Sequence, residues 1–331
     1  MKKLFISMLA VAALASCSQE DVIVADKGDL IGFNSFVENS TRADDLTYGA
    51  VDLTSFYVYG TVQGTGNGVV NIYDGDVVTG TVGEKETITD ENGDQIEVDK
   101  AWSCDVKQYW IAGAQYNFAA VVDVDKDTNN LPDGVTVDKA TDMPKTITYK
   151  TANQNDLLYA TATRTGLASG NVPVNFNFAH LLSKAQFTVT SNTADGYFHK
   201  VTNIKVQNFE QGTYTIGAAT PWSTATAAVE NVWIPFGNID GIESTDTTGV
   251  TNETQMLLLP TTTDFNVTFT VEIWNGTTLL GTQDYTKTVT QDLAAGYTYN
   301  FKLALSVGEL IQFTVTSNPT WTPNSDTTLT L

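Results

Sequence analysis

Apolar and polar positions alternate through most of this chain. The clearest runs are SFYVYGTV (55–62), YNFAAVVDV (116–124), KTITYK (145–150) and AQFTVTS (185–191). NIKVQNF (203–209), NVTFTVEIW (266–274), YTKTVTQ (285–291) and YTYNFKLAL (297–305) continue the pattern. All are rich in Val, Thr, Tyr and Phe, which suit a pleated, half-buried surface, so each predicts a strand. ENGD (91–94), LPDG (131–134) and WNGT (274–277) punctuate them with Asn-Gly and Asp-Gly steps. Those steps supply the positive φ of tight hairpins. A sustained 3.6-residue period is absent; NDLLYATAT (155–163) and AHLLSKA (179–185) each have room for a helical turn or two. The pattern predicts an all-β protein built of sandwiches.

About eight strand candidates lie on each side of RTGLASGNVP (164–173), a Gly/Ser/Pro-bearing stretch between apolar runs. The expected division is therefore an N-terminal β-sandwich over 43–170 and a C-terminal one over 171–331. A length of 331 residues fits two domains.

Charge narrows the partners. Against 17 Lys and Arg stand 38 Asp and Glu, a net −21. Such a chain has nothing with which to neutralise a run of phosphates, which excludes nucleic acid, and it lacks a polybasic membrane patch. A hydrophobic content of 42% supplies real cores, so the acidity is not that of a disordered tail.

The first residues read as an export signal. Lys2 and Lys3 precede LFISMLAVAALAS, an apolar run too short to span a bilayer. LASC (14–17) follows and resembles a lipobox, which implies removal of residues 1–16 and acylation of Cys17, palmitate included. The acidic SQED after it resembles a surface-export signal. An outer-membrane lipoprotein precursor is the expectation. Only Cys104 is left, so a disulfide framework and a multi-cysteine metal site are both excluded.

Catalytic patterns are missing: the sequence has no HExxH, G-x-S-x-G, P-loop or dinucleotide fingerprint. His180 reads as a buried, hydrogen-bonded structural residue and His199 as a loop residue. A candidate calcium site is DVDKDTNNLPDG (123–134), where Asp123, Asp125, Asp127 and Asn129 hold alternate positions. Alternate hard oxygens are what Ca²⁺ requires. Thr128 stands where an EF-hand needs Gly and Gly134 where it needs Glu, so a solvated hairpin loop is the better reading. Six tryptophans (Trp102, Trp110, Trp222, Trp233, Trp274, Trp321) read as packing residues before a sugar platform.

Two segments share a pattern. LIGFNSFV (30–37) puts Ile31, Phe33, Ser35 and Val37 on one strand face; LIQFTVTS (310–317) does the same with Ile311, Phe313 and Val315. Each offers similar apolar knobs, so either fits the same groove. STRADD (40–45) follows the first of them and holds Arg42, one of two arginines in the chain. A trypsin-like cut between Arg42 and Ala43 frees residues 17–42, a propeptide carrying both the lipid and the first strand. A sandwich short of a strand exposes an apolar cleft and an unpaired edge, a template for another chain. Donor and acceptor are different surfaces of identical chains, so the contact builds filaments.

These segments, with NDLLYATAT, FNFAHLLSKAQFTVTS, MLLLPTT (256–262) and AAGYTYNFKLALSVGELIQFTVTSNPTW (294–321), resemble the fimbrillins. Those are lipoprotein-derived pilus subunits of Gram-negative anaerobes of gut and mouth. The resemblance implies two tandem β-sandwiches of transthyretin-like topology; the missing catalytic patterns predict no enzymatic activity, and no cofactor is expected apart from the calcium candidate at 123–134. The resemblance also implies cleavage at Arg42–Ala43 by an arginine-specific surface protease and displacement of residues 30–37. A neighbour's residues 311–316, or its TTLTL (327–331), then replace them. Identical or related subunits are the expected partners, a cell-surface fimbrium the location, and a stalk position is favoured over a tip. The receptor is not readable from the sequence. A glycan-binding surface lipoprotein of β-sandwiches is the alternative.

Overall fold

The computed structural model describes residues 29–37, 53–64, 68–80, 85–89, 95–99, 102–123, 135–193, 196–223, 231–251, 255–306, 312–318 and 327–329. Among these the protein is all-β, with one 3-10 turn at Thr151–Asn153. The chain opens with β1 (Phe33–Val37), β2 (Ser55–Gln63), β3 (Val69–Thr79), β4 (Lys85–Thr89), β5 (Gln95–Asp99) and β6 (Ser103–Cys104). It continues through β7 (Gln115–Asp123), β8 (Val135–Ala140), β9 (Met143–Lys150), β10 (Leu157–Thr165) and β11 (Val174–His180). Then come β12 (Ser183–Asn192), β13 (Phe198–Phe209), β14 (Gln211–Thr215), β15 (Trp222–Ser223), β16 (Asn231–Glu243) and β17 (Val250–Thr251). β18 (Met256–Leu258), β19 (Phe265–Asn275), β20 (Thr278–Val289), β21 (Thr298–Ser306), β22 (Gln312–Asn318) and β23 (Thr327–Leu329) follow.

A seven-stranded sheet of order β1-β11-β10-β7-β2-β3-β6 dominates the first half. Both its faces are covered. Phe56, Val58, Phe118 and Ala120 point into one core, while Tyr57, Tyr59, Ala119 and Val121 point into another. That double burial is why β2 and β7 read as nearly unbroken apolar runs. The second layer is the sheet β15-β14-β9-β8, to which both halves of the chain contribute. β14 lies against β9, with Gln211 opposite Lys150 and Thr215 opposite Thr146. The second sandwich packs β17-β12-β21-β22-β23 on β16-β13-β19-β20 around Phe187, Phe236, Phe269 and Phe301. The WNGT signal closes the β19–β20 hairpin, where Gly276 takes φ +57°.

Three expectations are corrected. NDLLYATAT and AHLLSKA hold no helical turn: the first runs into β10, and the second joins β11 to β12. Leu157 and Leu158 are both buried because β10 lies in a sheet covered on both faces, and a paired leucine then mimics a helical pattern. The chain does not leave the first sheet at residue 170, because β11 pairs with β10 and β1. It leaves at Leu181 and Leu182, both buried in the layer shared by the halves. The Gly/Ser/Pro stretch is a connection within one sheet, and such composition marks a turn as readily as a linker. His199 is buried within β13, pointing the opposite way from exposed Phe198. His180 is buried as expected, its Nδ1 2.7 Å from Asp156 Oδ2.

Candidate functional site

The site is the slot that residues 29–37 fill. β1 runs parallel to β11, Phe33 opposite Val174 through Val37 opposite Phe178. Its other side meets the segment before β7. The Trp102 N–H donates to the Phe33 carbonyl (2.8 Å), and the Ile31 N–H to the Gln108 carbonyl (2.9 Å). The Trp110 N–H donates to the Asp29 carbonyl (3.0 Å), and the Val174 N–H to the Gly32 carbonyl (2.8 Å). Trp102 directly precedes β6, the last strand of the sheet. The sheet therefore curls until its ends meet, and the first segment of the chain closes the seam.

Alternation dictates what the segment buries. Ile31 and Phe33 point inward and are buried, whereas Asn34 is half-exposed, its Nδ2 donating to Asn175 Oδ1 at 3.3 Å. Phe33 is fully enclosed. Its ring lies 5.5 Å from Tyr73, 5.9 Å from Phe176, 6.2 Å from Phe118 and 6.3 Å from Phe56. Trp102 stacks on Phe56 at 5.4 Å and forms a wall. Glycines make room for these rings. A Cβ on Gly80 would overlap the Trp102 indole, and one on Gly60 would come within 2.9 Å of Tyr73.

The slot is apolar and electrically quiet. Burial pushes the Tyr73 and Tyr116 phenols and the Cys104 thiol up from their ordinary values. All three stay neutral at physiological pH, and a buried protonated thiol is a poor nucleophile. Among the described residues, no three or more His, Cys, Asp or Glu side chains gather into a cation cage. What this arrangement can do is hold an extended segment by a backbone ladder and pocketed alternate side chains.

The family-model comparison matches a family described as fimbrillin-like over residues 41–319. The chain belongs to the fimbrillin-like family. That is a family of structural pilus and cell-adhesion proteins, not of enzymes. No curated protein matches the chain. A solved fimbrial protein from Bacteroides vulgatus shares 15% identity and a TM-score of 0.59, covering 88% of this chain and 99% of that one. Its likeness shows the same all-β fold. A cell-adhesion protein structure from Bacteroides ovatus (17% identity, TM-score 0.49) covers 88% of this chain and 97% of that one. One from Bacteroides uniformis (17%, 0.48) covers 88% and 98%.

Of the residues singled out in this fimbrillin-like chain, Ile31 and Phe33 come together in the slot. Val37 ends β1 opposite Phe178. Val315 is buried in the second core, on β22, where Phe313 lies opposite Leu303 of β21. The two similar segments thus occupy different sheets. Cys17, Arg42, Ala43 and Ile311 lie outside the described residues, as do Asp125, Asp127 and Asn129. Asp123 ends β7. Of the tryptophans, Trp102 and Trp110 are core residues, Trp222 donates to the Leu181 carbonyl at the junction, and Trp274 bonds Glu272. Trp233 alone among the described five is exposed, so they form no stacking platform.

Sequence reading missed Trp102, Tyr73, Phe118 and Phe176 as slot walls, because they come from four distant parts of the chain. It also missed a repeat. AGAQYNF (112–118) and AGYTYNF (295–301) match in spacing. In each, glycine takes φ +76° and the tyrosine hydroxyl accepts an N–H five residues back, Ile111 to Tyr116 and Ala294 to Tyr299, both at 2.7 Å.

Proposed function

We propose that the chain is a pilus subunit exported as an outer-membrane lipoprotein through Cys17, matured by cleavage after Arg42, and polymerised by strand exchange. In this reading residues 30–37 are a removable closing strand, and a neighbour's C-terminal segment takes their place. The observation that carries it is the burial of Ile31 and Phe33 in a seam between β11 and residues 102–110. Loss of the segment orphans the N–H groups of Trp102, Trp110 and Val174 and the edge of β11. Such an edge recruits another strand.

Two further features support the assignment. Arg164, the other arginine, sits in β10, paired residue for residue with β7, so its peptide bond is not offered to a protease in extended form. Of the two donor candidates, the terminal one is cheaper to free. β22 is held along β21 from Gln312 to Asn318 with Val315 in its core, whereas β23 pairs only with β22 over three residues. Leu329 and Leu331 share the two-residue spacing of Ile31 and Phe33. Position in the filament follows from the maturing site, which favours a stalk subunit.

The experiment is Arg42→Ala, compared with the parent chain after treatment with an arginine-specific protease. The parent begins at Ala43 and forms SDS-resistant ladders; the variant keeps an acylated Cys17 and stays monomeric. Ladders in the variant would refute the proposal.

A further inference from the structure

Strand directions define two outer ends. In the first sandwich, β10 ends, while β7 and β11 begin, at the pole opposite the junction. Residues 109–113 and 166–172 lie there, tied to the entering chain. Leu30 bridges Tyr109, the Gly113 N–H donates to the Gly166 carbonyl (2.8 Å), and the Asn171 N–H to Asp29 Oδ2 (2.8 Å). In the second sandwich, β13 begins at the pole away from the junction, with Phe198 opposite both Glu243 and Trp274. The β19–β20 hairpin tip lies at the same pole, Trp274 opposite Leu279.

The exposed large apolar side chains concentrate at these two poles. Tyr109, Ile111, Leu167 and Val172 stand at the first, with Leu30 beside them, and Val172 is 63% exposed. Tyr197, Phe198, Leu279 and Leu280 stand at the second. Clusters of exposed large apolar side chains on a strongly charged protein mark interaction surfaces. Charge is arranged to match. Arg164, exposed at the first pole, makes no ion pair with a described residue; exposed Glu243 stands at the second.

We propose that the two poles dock on each other, the second pole of one molecule on the first pole of the next. This rests on the strand-exchange reading and adds a contact to it. The occupant is a second copy, because the first pole is also the mouth of the slot: β1 enters there and runs inward toward the junction. A donor delivered from a neighbour crosses this face. Asp29 and Leu30 cover part of it and leave with the propeptide, so maturation uncovers the docking face and frees the loop that Asp29 holds through Asn171.

The test uses the full chain cleaved after Arg42, in two surface variants, Leu167→Asp/Val172→Asp and Leu279→Asp/Leu280→Asp. Sedimentation velocity reads reversible association; SDS-resistant ladders read strand exchange. Each variant keeps the parental melting temperature and weakens association by about tenfold or more, the equivalent of losing ~1.4 kcal/mol. Mixed together, the two variants form one-to-one dimers and nothing longer, since each keeps one intact pole. Arg164→Glu with Glu243→Arg restores the association that either single change weakens. Parental association in both variants, or a mixture that behaves like its parts, overturns the proposal. If the cleaved parent makes no ladders yet associates through its poles, strand exchange falls and pole docking stands.

Discussion

Phe33→Ala tests the closing strand directly. The side chain is fully enclosed and faces four rings at 5.5–6.3 Å, on strands fixed by ladders on both sides. Walls of that kind collapse poorly, so the cavity persists. Phe-to-Ala changes in cores cost about 3–5 kcal/mol. The lost aromatic pairs, each worth roughly 0.5–1.5 kcal/mol beyond area, place this one in the upper part of that range. Urea unfolding of the uncleaved chain reads the loss, with Asn34→Ala as control, since Asn34 points outward on the same strand and a surface change costs within about 0.5 kcal/mol. After cleavage the same loss would correspond to a closing strand held more weakly by about 10³-fold or more, seen as faster release and faster ladder growth. A Phe33→Ala cost near that of Asn34→Ala would show that residues 29–37 only lie on the surface and fill no slot.

Gly80→Ala forces a methyl against the Trp102 indole and shifts a slot wall, for a loss of about 1–3 kcal/mol in thermal or urea unfolding; an unchanged midpoint would contradict the packing. Asp156→Ala removes the buried partner of His180 at the junction and destabilises by about 1.5–3 kcal/mol, while Asp156→Asn recovers part of it. Asp29 accepts hydrogen bonds from the Asn171 backbone and side chain, which hold its carboxyl below the usual 3.8. A depressed folded value contributes stability above pH ~4 that is lost as pH falls through it. Asp29→Asn therefore flattens the acid limb of the urea midpoint; an identical acid limb would refute the contact.

Eight runs read from the sequence coincide with β2, β7, β9, β12, β13, β19, β20 and β21: most carry a local period of two, while β2 and β7, covered on both faces, are legible from their Val-, Tyr- and Phe-rich composition. Strands such as β17 and β18 have two or three residues and exist only because a distant partner, β12, supplies the ladder. β10 was obscured by its own burial, since a strand covered on both faces loses alternation. At the slot, Ile31 and Phe33 were legible from spacing, but the walls were not: Phe33 meets Phe176 through the long-range pairing of β1 with β11, and Tyr73 only after the sheet curls. The repeated AGxxYNF device was visible as a string, yet its meaning depends on a positive-φ glycine and a tyrosine hydroxyl reaching back to the backbone.

The geometry also accounts for why a cut would release a strand that is otherwise well buried. By transfer from water alone, before any cavity cost, Ile31 and Phe33 contribute roughly 1.5–3 kcal/mol each, about 3–6 kcal/mol together, which as a free peptide corresponds to binding between several millimolar and some tens of micromolar. A covalent tether supplies an effective concentration of that order, so the uncut segment stays seated. Cleavage would remove the tether and leave the contacts, and at micromolar protein the segment would depart. In the proposed exchange, direction would select its successor. β1 runs parallel to β11 from the outer pole inward, so a replacement must be anchored on its N-terminal side at that pole. The segment after β22 is joined to its own sandwich on its N-terminal side, through Asn318. A donor anchored from its C-terminal side would have to reverse the ladder and would place its large side chains out of register with Phe56 and Phe176.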